Sequence, residues 1–332
     1  MGDVGLAAAM ERLVEASLGV VPGDSVVVVH DEAHDDVAAA IADAVAVAKG
    51  QCALHRLEDH GPRPHAKLPA TVVEALAEAQ VSVLVVDFHA NELRMRTELV
   101  DLAARHGLRH GHVVGVQRAS LVAGLSVHPQ RIAEKARSLL VRLGPTSRIA
   151  VRCPSGSDLV AELKPRCRWL DFGATVLSGR RVNLPGGELV TSPGPVTGTY
   201  VAAGTLGDAD GALRRSLRDT PVALRITRSR VVGVECPRDP SLARAILARM
   251  GATPNVDRVG LLGFGVNIGL LAPMGDVFTD QKVPGVHLSL GESFPDRTGA
   301  TWTSTSWLGF TGIEQDVDVD RTPAMRFGRY LV

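Results

Sequence analysis

The chain has 332 residues with 36 basic and 36 acidic side chains, so its formal net charge is zero and it carries no electrostatic footprint for nucleic acid or an anionic membrane. The length is enough for two domains with cores of their own. Cys52, Cys153, Cys167 and Cys236 are scattered without a CxxC pair, which fits reduced thiols in a cytoplasmic protein rather than a disulfide framework or zinc knuckle. No basic-then-apolar leader is read, and no apolar run suits a membrane span, so neither secretion nor a membrane partner is expected.

Strand and helix signals alternate through the first half. Ser25–His30 (SVVVVH) is a β-branched run of the kind that fills a buried parallel strand. An Ala-rich helix is predicted over 35–49, ended by Gly50 as C-cap. Strands are predicted over 51–57, 81–87 and 112–116, and helices over 69–79, 97–106 and 129–143. Repeated β-α units predict a parallel sheet covered by helices. Glycine and proline then become frequent. Short strands are predicted at 148–152, 173–177, 200–204, 222–227 and 230–235, with one helix over 240–250 and a final hairpin strand in MRFGRYLV. The domain boundary is placed within 144–147, giving an α/β domain over 1–145 and a strand-rich α+β domain over 146–332.

Ten of the eleven histidines precede residue 129, but their spacing is irregular, and solvated or capping roles are expected for the group. His89, at the end of a predicted parallel strand, is the best exception, because ligand sites gather at strand carboxyl ends. CPSGSD (153–158) lacks the glycine spacing of a nucleophile elbow and reads as a turn between strands. Gly263-Phe264-Gly265 does not complete a dinucleotide fingerprint.

Two segments carry more chemistry. In RVNLPGGELVTSP (181–193), a tight turn presents Glu188 at a strand start, where a carboxylate can bind a metal or act as a base. In DQKVPGVHLSLG (280–291), Asp280 and Lys282 stand close to His287, and a neighbouring charge pair can tune an imidazole.

Together these segments resemble the thermophilic-type metallo-aminopeptidases, the aminopeptidase T and aminopeptidase S group. The likeness spans most of the chain: the α/β first domain, CPSGSDL, NLPGGE, LGFGVN, DQK…H…LG and the terminal strand. It implies a homodimer whose second domain holds two divalent metals. Carried over residue by residue, the family's first glutamate ligand matches Glu188 and its histidine matches His287. Its second glutamate falls on Leu261, at the head of a motif that runs to Asn267. Its tyrosine falls on Phe294, and its His-Trp-Asp ligands fall on Ser306 and Leu308. The central glutamate of its Asp-Glu-Lys motif is Gln281. The fold also resembles the 2,5-dihydroxypyridine 5,6-dioxygenases, whose mononuclear iron would use His287 and the same missing segment.

Two of six expected ligands remain, so no dinuclear centre and no resident cofactor is expected. The main functional expectation is a metal-independent enzyme acting on a small amino-acid-derived or heteroaromatic molecule, as in a specialised biosynthetic step. His287 and Glu188 would be its acid/base pair, supported by Lys282 and Asp280. Leu261, Asn267, Phe294, Ser306 and Leu308 would line its pocket. A non-catalytic binding protein is one alternative. A mononuclear hydrolase or ring-cleaving dioxygenase with replaced ligands, drawn from Glu188, His287 and Asp280, is the other.

Overall fold

The computed structural model describes residues 2–144 and 147–331, and the expected boundary at 145/146 lies outside the described residues. The chain forms two compact units. One comprises Met1–Arg131 with Gly173–Gly186, and the other Ile132–Phe172 with Gly187–Val332.

The first unit is built on five parallel strands in the order Gln51–Arg56, Ser25–His30, Val81–Val86, Arg109–Val114 and Arg181–Asn183. Its valine run has no polar residue because both faces are covered. Val26 and Val28 join a core with Met10, Leu13, Ile41 and Val83, while Val27 and Val29 join another with Leu57, Leu76, Leu84 and Leu99. Helices Gly2–Arg12, Asp35–Val47 and Arg118–Gly124 supply the first core; Ala70–Glu78 and Leu93–Arg105 supply the second.

Two expectations need correction here. Residues 173–177 are not a strand. Ala174 and Val176 alternate into the core, but without a ladder partner; the Val176 amide donates to the Ser17 carbonyl at 2.8 Å. Leu170–Phe172 and Arg181–Asn183 are the strands on either side. Nor are the histidines mainly solvated: His30, His34, His110 and His112 are all buried. The fold gives them polar partners, Ser82 to His110 at 2.9 Å, His110 to His112 at 3.1 Å, and His34 to Asp31 at 2.5 Å. His89 follows its strand as expected, and its buried Nδ1 has no hydrogen-bond partner among the described residues.

The second unit contains two antiparallel sheets. The eight-stranded sheet runs Arg230–Glu235, Val222–Thr227, Val196–Ala202, Asp158–Glu162, Arg148–Arg152, Asp316–Val319, Thr322–Arg326 and Arg329–Tyr330. CPSGSD makes the turn joining two of these, with Gly156 at φ 110°. The seven-stranded sheet runs Arg215–Ser216, Thr205–Asp208, Trp307–Thr311, Gly285–Gly291, Val259–Gly265, Glu188–Thr191 and Leu170–Phe172. Tyr200 ties the two together: its hydroxyl sits 2.8 Å from the Val286 carbonyl and 3.2 Å from that of Phe310. The helix Pro240–Ala252 starts cleanly because Pro240 presets the first turn and the Asp239 carboxylate accepts from the Leu242 amide at 3.0 Å. No helix among the described residues is long and apolar enough to cross a membrane.

Candidate functional site

The register of the seven-stranded sheet decides which side chains can meet. Directly paired residues project to the same face. Phe172 pairs with Glu188, and Glu188 with Gly265; Val190 pairs with Gly263, Gly263 with His287, and His287 with Thr311. Leu261, Ser289 and Gly309 form the next row. One face therefore carries Phe172, Glu188, His287, Thr311 and Leu261. The other carries Leu189, Phe264, Leu288, Leu308 and Phe310, all fully or nearly fully buried. Leu308 thus points away from His287, because it is one residue out of phase with Gly309 and Thr311.

Glycines make room on the first face. A Cβ on Gly263 would lie 3.0 Å from Glu188 Oε1, so the carboxylate rests over that glycine. A Cβ on Gly265 would run into the Val283 carbonyl and lie 2.6 Å from the Lys282 carbonyl carbon, so the 282–283 backbone crosses there. The Asn267 amide holds this crossing by donating to the Lys282 carbonyl at 3.0 Å. The fully buried Asn267 keeps its own loop in place, its Oδ1 accepting from the Gly269 amide at 3.1 Å.

The crossing brings Lys282 to Glu188. The ammonium lies 3.9 Å from Glu188 Oε2 and also donates to the Phe278 carbonyl. Burial pushes the Glu188 carboxyl above its ordinary pKa, and the Lys282 charge opposes that only in part.

His287 is engaged differently. Its Nε2 lies 2.8 Å from the Val283 carbonyl, and the Gly312 amide donates to its Nδ1 at 3.3 Å. Those partners fix the neutral Nε2–H tautomer. Burial, with Lys282 nearby, pushes its pKa down to about 4. The folded state therefore refuses a proton that the unfolded chain accepts below about pH 6.5. Stability is lost as pH falls from there toward 4, by up to roughly 3 kcal/mol from this group. Nitrogen NMR of the imidazole is expected to report the Nε2–H tautomer and no titration between pH 5 and 8; a midpoint near 6.5 would contradict these bonds.

Asp280 serves the fold. It accepts from the Thr205 hydroxyl, from the Met274 amide at 2.6 Å and from the Gly275 amide at 3.1 Å. Burial raises its pKa to about 6 despite those bonds. Its bonds close the 274–280 loop, and Lys282 pairs with Glu188 instead. Ser306 is half-buried, its amide donating to Ser304 Oγ at 3.3 Å. Phe294 reaches the Glu188 side of the sheet through Phe172, with ring centroids 6.5 Å apart. Phe172 and Thr311 were not legible as site residues, since only the strand register places them beside Glu188 and His287.

No protein-family model matches the chain, and no curated protein matches it. Solved structures do. A 2,5-dihydroxypyridine dioxygenase from Pseudomonas putida KT2440 superposes with a TM-score of 0.64 at 17% identity, covering 99% of this chain and 98% of that one. AmpT from Thermus thermophilus superposes with a TM-score of 0.62 at 17% identity, covering 99% of both chains. The chain has the AmpT fold. The α/β unit with a parallel sheet and the strand-rich second unit expected from sequence are both present on it.

The AmpT-type resemblance implies a pair of metals, and the side chains present do not fit one. Leu261, Phe294 and Leu308 offer no donor atom, and both His287 nitrogens are taken by backbone groups. The Lys282 ammonium stands on the Glu188 carboxylate, where a cation would have to sit. Among the described residues, no group of three or more His, Cys, Asp or Glu side chains is placed to hold a metal ion.

Proposed function

We propose that the second unit carries an acid-base site for a small organic molecule, with Glu188 as the proton-transferring group and Lys282 as its counter-charge. One observation carries this reading. Glu188 is a largely buried carboxyl with a raised pKa, and its nearest partner is an ammonium at 3.9 Å rather than a closed set of hydrogen bonds. Such a carboxyl is poised to exchange a proton nearer neutral pH than a solvated one. The pairing of His287 with Glu188 expected from sequence gives way to a single carboxyl. A histidine with both nitrogens bonded to backbone holds the strand and the 282–283 crossing in place, and so acts as a positioning residue.

The test is a carboxyl titration by carbon NMR on glutamate-labelled protein, with Glu188→Gln to assign the resonance. A midpoint clearly above the ordinary glutamate value near 4.3 is expected, and Lys282→Met should move it further up. A Glu188 midpoint at or below that value would remove the acid-base reading and leave a non-catalytic binding site as the better account.

A further inference from the structure

We propose that the face beside Glu188 binds an aromatic carboxylate, its ring against Phe172 and Phe294 and its carboxylate on Arg297. The proposal rests on the reading of Glu188 as the reacting group and names the class of molecule brought to it.

Three observations converge. Aromatic residues are scarce in this chain, at 4% of the sequence, yet two half-buried ones meet edge to face next to Glu188. Phe172 is the direct cross-strand neighbour of Glu188, so their Cβ atoms stand roughly 4.5–5.5 Å apart. A ring lying on Phe172 would therefore extend toward the Glu188 carboxyl.

Phe294 is held in the left-handed region, at φ 48° and ψ 59°. A bulky side chain is a genuine outlier there, and glycine would sit at ease. Pro295 and the short helix 295–298 follow at once and carry Arg297. Strained positions of this kind cluster at ligand sites. Here the strain aims a ring at Phe172 and sets the turn that places Arg297.

The Arg297 guanidinium lies over the Phe172 ring, 5.3 Å from its centroid, and makes no ion pair among the described residues. An arginine stacked on a ring keeps the edge of its fork open, and that edge matches a carboxylate with two parallel hydrogen bonds. Lys282 and Glu188 offset each other. Arg297 is thus left beside the aromatic pair without a carboxylate partner among the described residues, which suits a flat monoanion.

Benzoate serves as the probe, with benzamide as the uncharged ring and acetate as the carboxylate without a ring. Binding to the full chain is read by calorimetry at neutral pH and low salt. Benzoate is expected to saturate, and benzamide and acetate to bind about tenfold more weakly or worse. Arg297→Gln, an exposed position whose fold is checked by circular dichroism, should weaken benzoate by about tenfold or more. Phe172→Leu should weaken benzoate and leave acetate unchanged. Glu188→Gln should bind benzoate at least as well as the unaltered chain. Equal affinity for benzoate and benzamide, no saturation with benzoate, or indifference to Arg297→Gln would overturn the proposal. The outcomes separate it from the acid-base reading: a high Glu188 midpoint without benzoate binding refutes only the ligand class, and benzoate binding with an ordinary Glu188 midpoint refutes only the acid-base role.

Discussion

Replacing Arg63 with methionine is expected to destabilise the first unit by about 3–5 kcal/mol, as removal of one partner from a buried ion network does. Arg63 bridges two carboxylates that water does not reach. Its Nε and Nη2 hold Glu92 at 2.9 and 2.6 Å, and its Nη1 donates to Asp31. The side chain of Glu92 is 0% exposed and that of Asp31 1%. Burial alone would raise both carboxyl pKa values. For Asp31 the His34 bond, the Asp87 amide and Arg63 outweigh it, and for Glu92 the Arg63 bonds and the His65 amide do. Both pKa values are therefore lowered in the fold. Their contribution is present above the unfolded values near 4 and is lost as pH falls through the lower folded ones. His34 runs the other way: burial would lower its pKa, but Asp31 raises it. Its contribution is complete below about pH 6.5 and fades as pH rises through the folded value.

Urea denaturation across pH checks this account. The deficit of Arg63→Met should be largest near neutrality and shrink toward pH 4, where the stranded carboxyls can take up protons. Adding Glu92→Gln to the variant should recover part of the loss. A deficit under about 1 kcal/mol at pH 7 would mean that the network is worth no more than a surface pair.

Gly265→Ala is the second large effect expected. The added methyl would meet backbone rather than a movable side chain, with the Lys282 carbonyl carbon at 2.6 Å and the Val283 carbonyl oxygen closer still. Overpacking of this kind costs about 1–3 kcal/mol or more. The displaced segment also supplies the acceptor for His287 Nε2–H and carries Lys282 to Glu188. Stability and the Glu188 titration should therefore change together, the carboxyl midpoint rising as the ammonium retreats. Gly251→Ala is the matched control. It sits within the helix Pro240–Ala252, and nothing lies within 4 Å of the added Cβ. It should stabilise by roughly 0.5–1 kcal/mol through helix propensity alone. A Gly265→Ala protein as stable as Gly251→Ala would show that the crossing yields freely.

How much of this was legible in the sequence follows from the range of the forces involved. The valine runs announced the parallel sheet, because burial on both faces favours apolar, β-branched side chains. The LPGGE turn announced where Glu188 begins its strand, since turn chemistry is local. The segment around His287 was legible too, but the histidine's partners were not. They are the Val283 carbonyl and the Gly312 amide, backbone groups that no side-chain pattern advertises. Asp280 and Lys282, two residues apart, looked like a pair; a turn of helix sends one to Thr205 and the other to Glu188. Leu308 and Phe294 both stand at positions where the resemblance implies ligands. Strand phase turns Leu308 into the core, and a left-handed turn brings Phe294 toward Phe172. Strand phase and the φ of a single residue are both set by distant contacts.

The return of Gly173–Gly186 to the first unit bears on how the chain is made. Its strand Arg181–Asn183 completes the edge beside Arg109–Val114, and Val176 and Leu184 fill one of the two cores. During synthesis the ribosome must therefore deliver about forty residues of the second unit before the first can close. Until then the nascent sheet presents the open edge of Arg109–Val114, a template for pairing with another chain. A product truncated after residue 131 would carry that open edge permanently and is expected to aggregate, although every residue it contains belongs to the same compact unit.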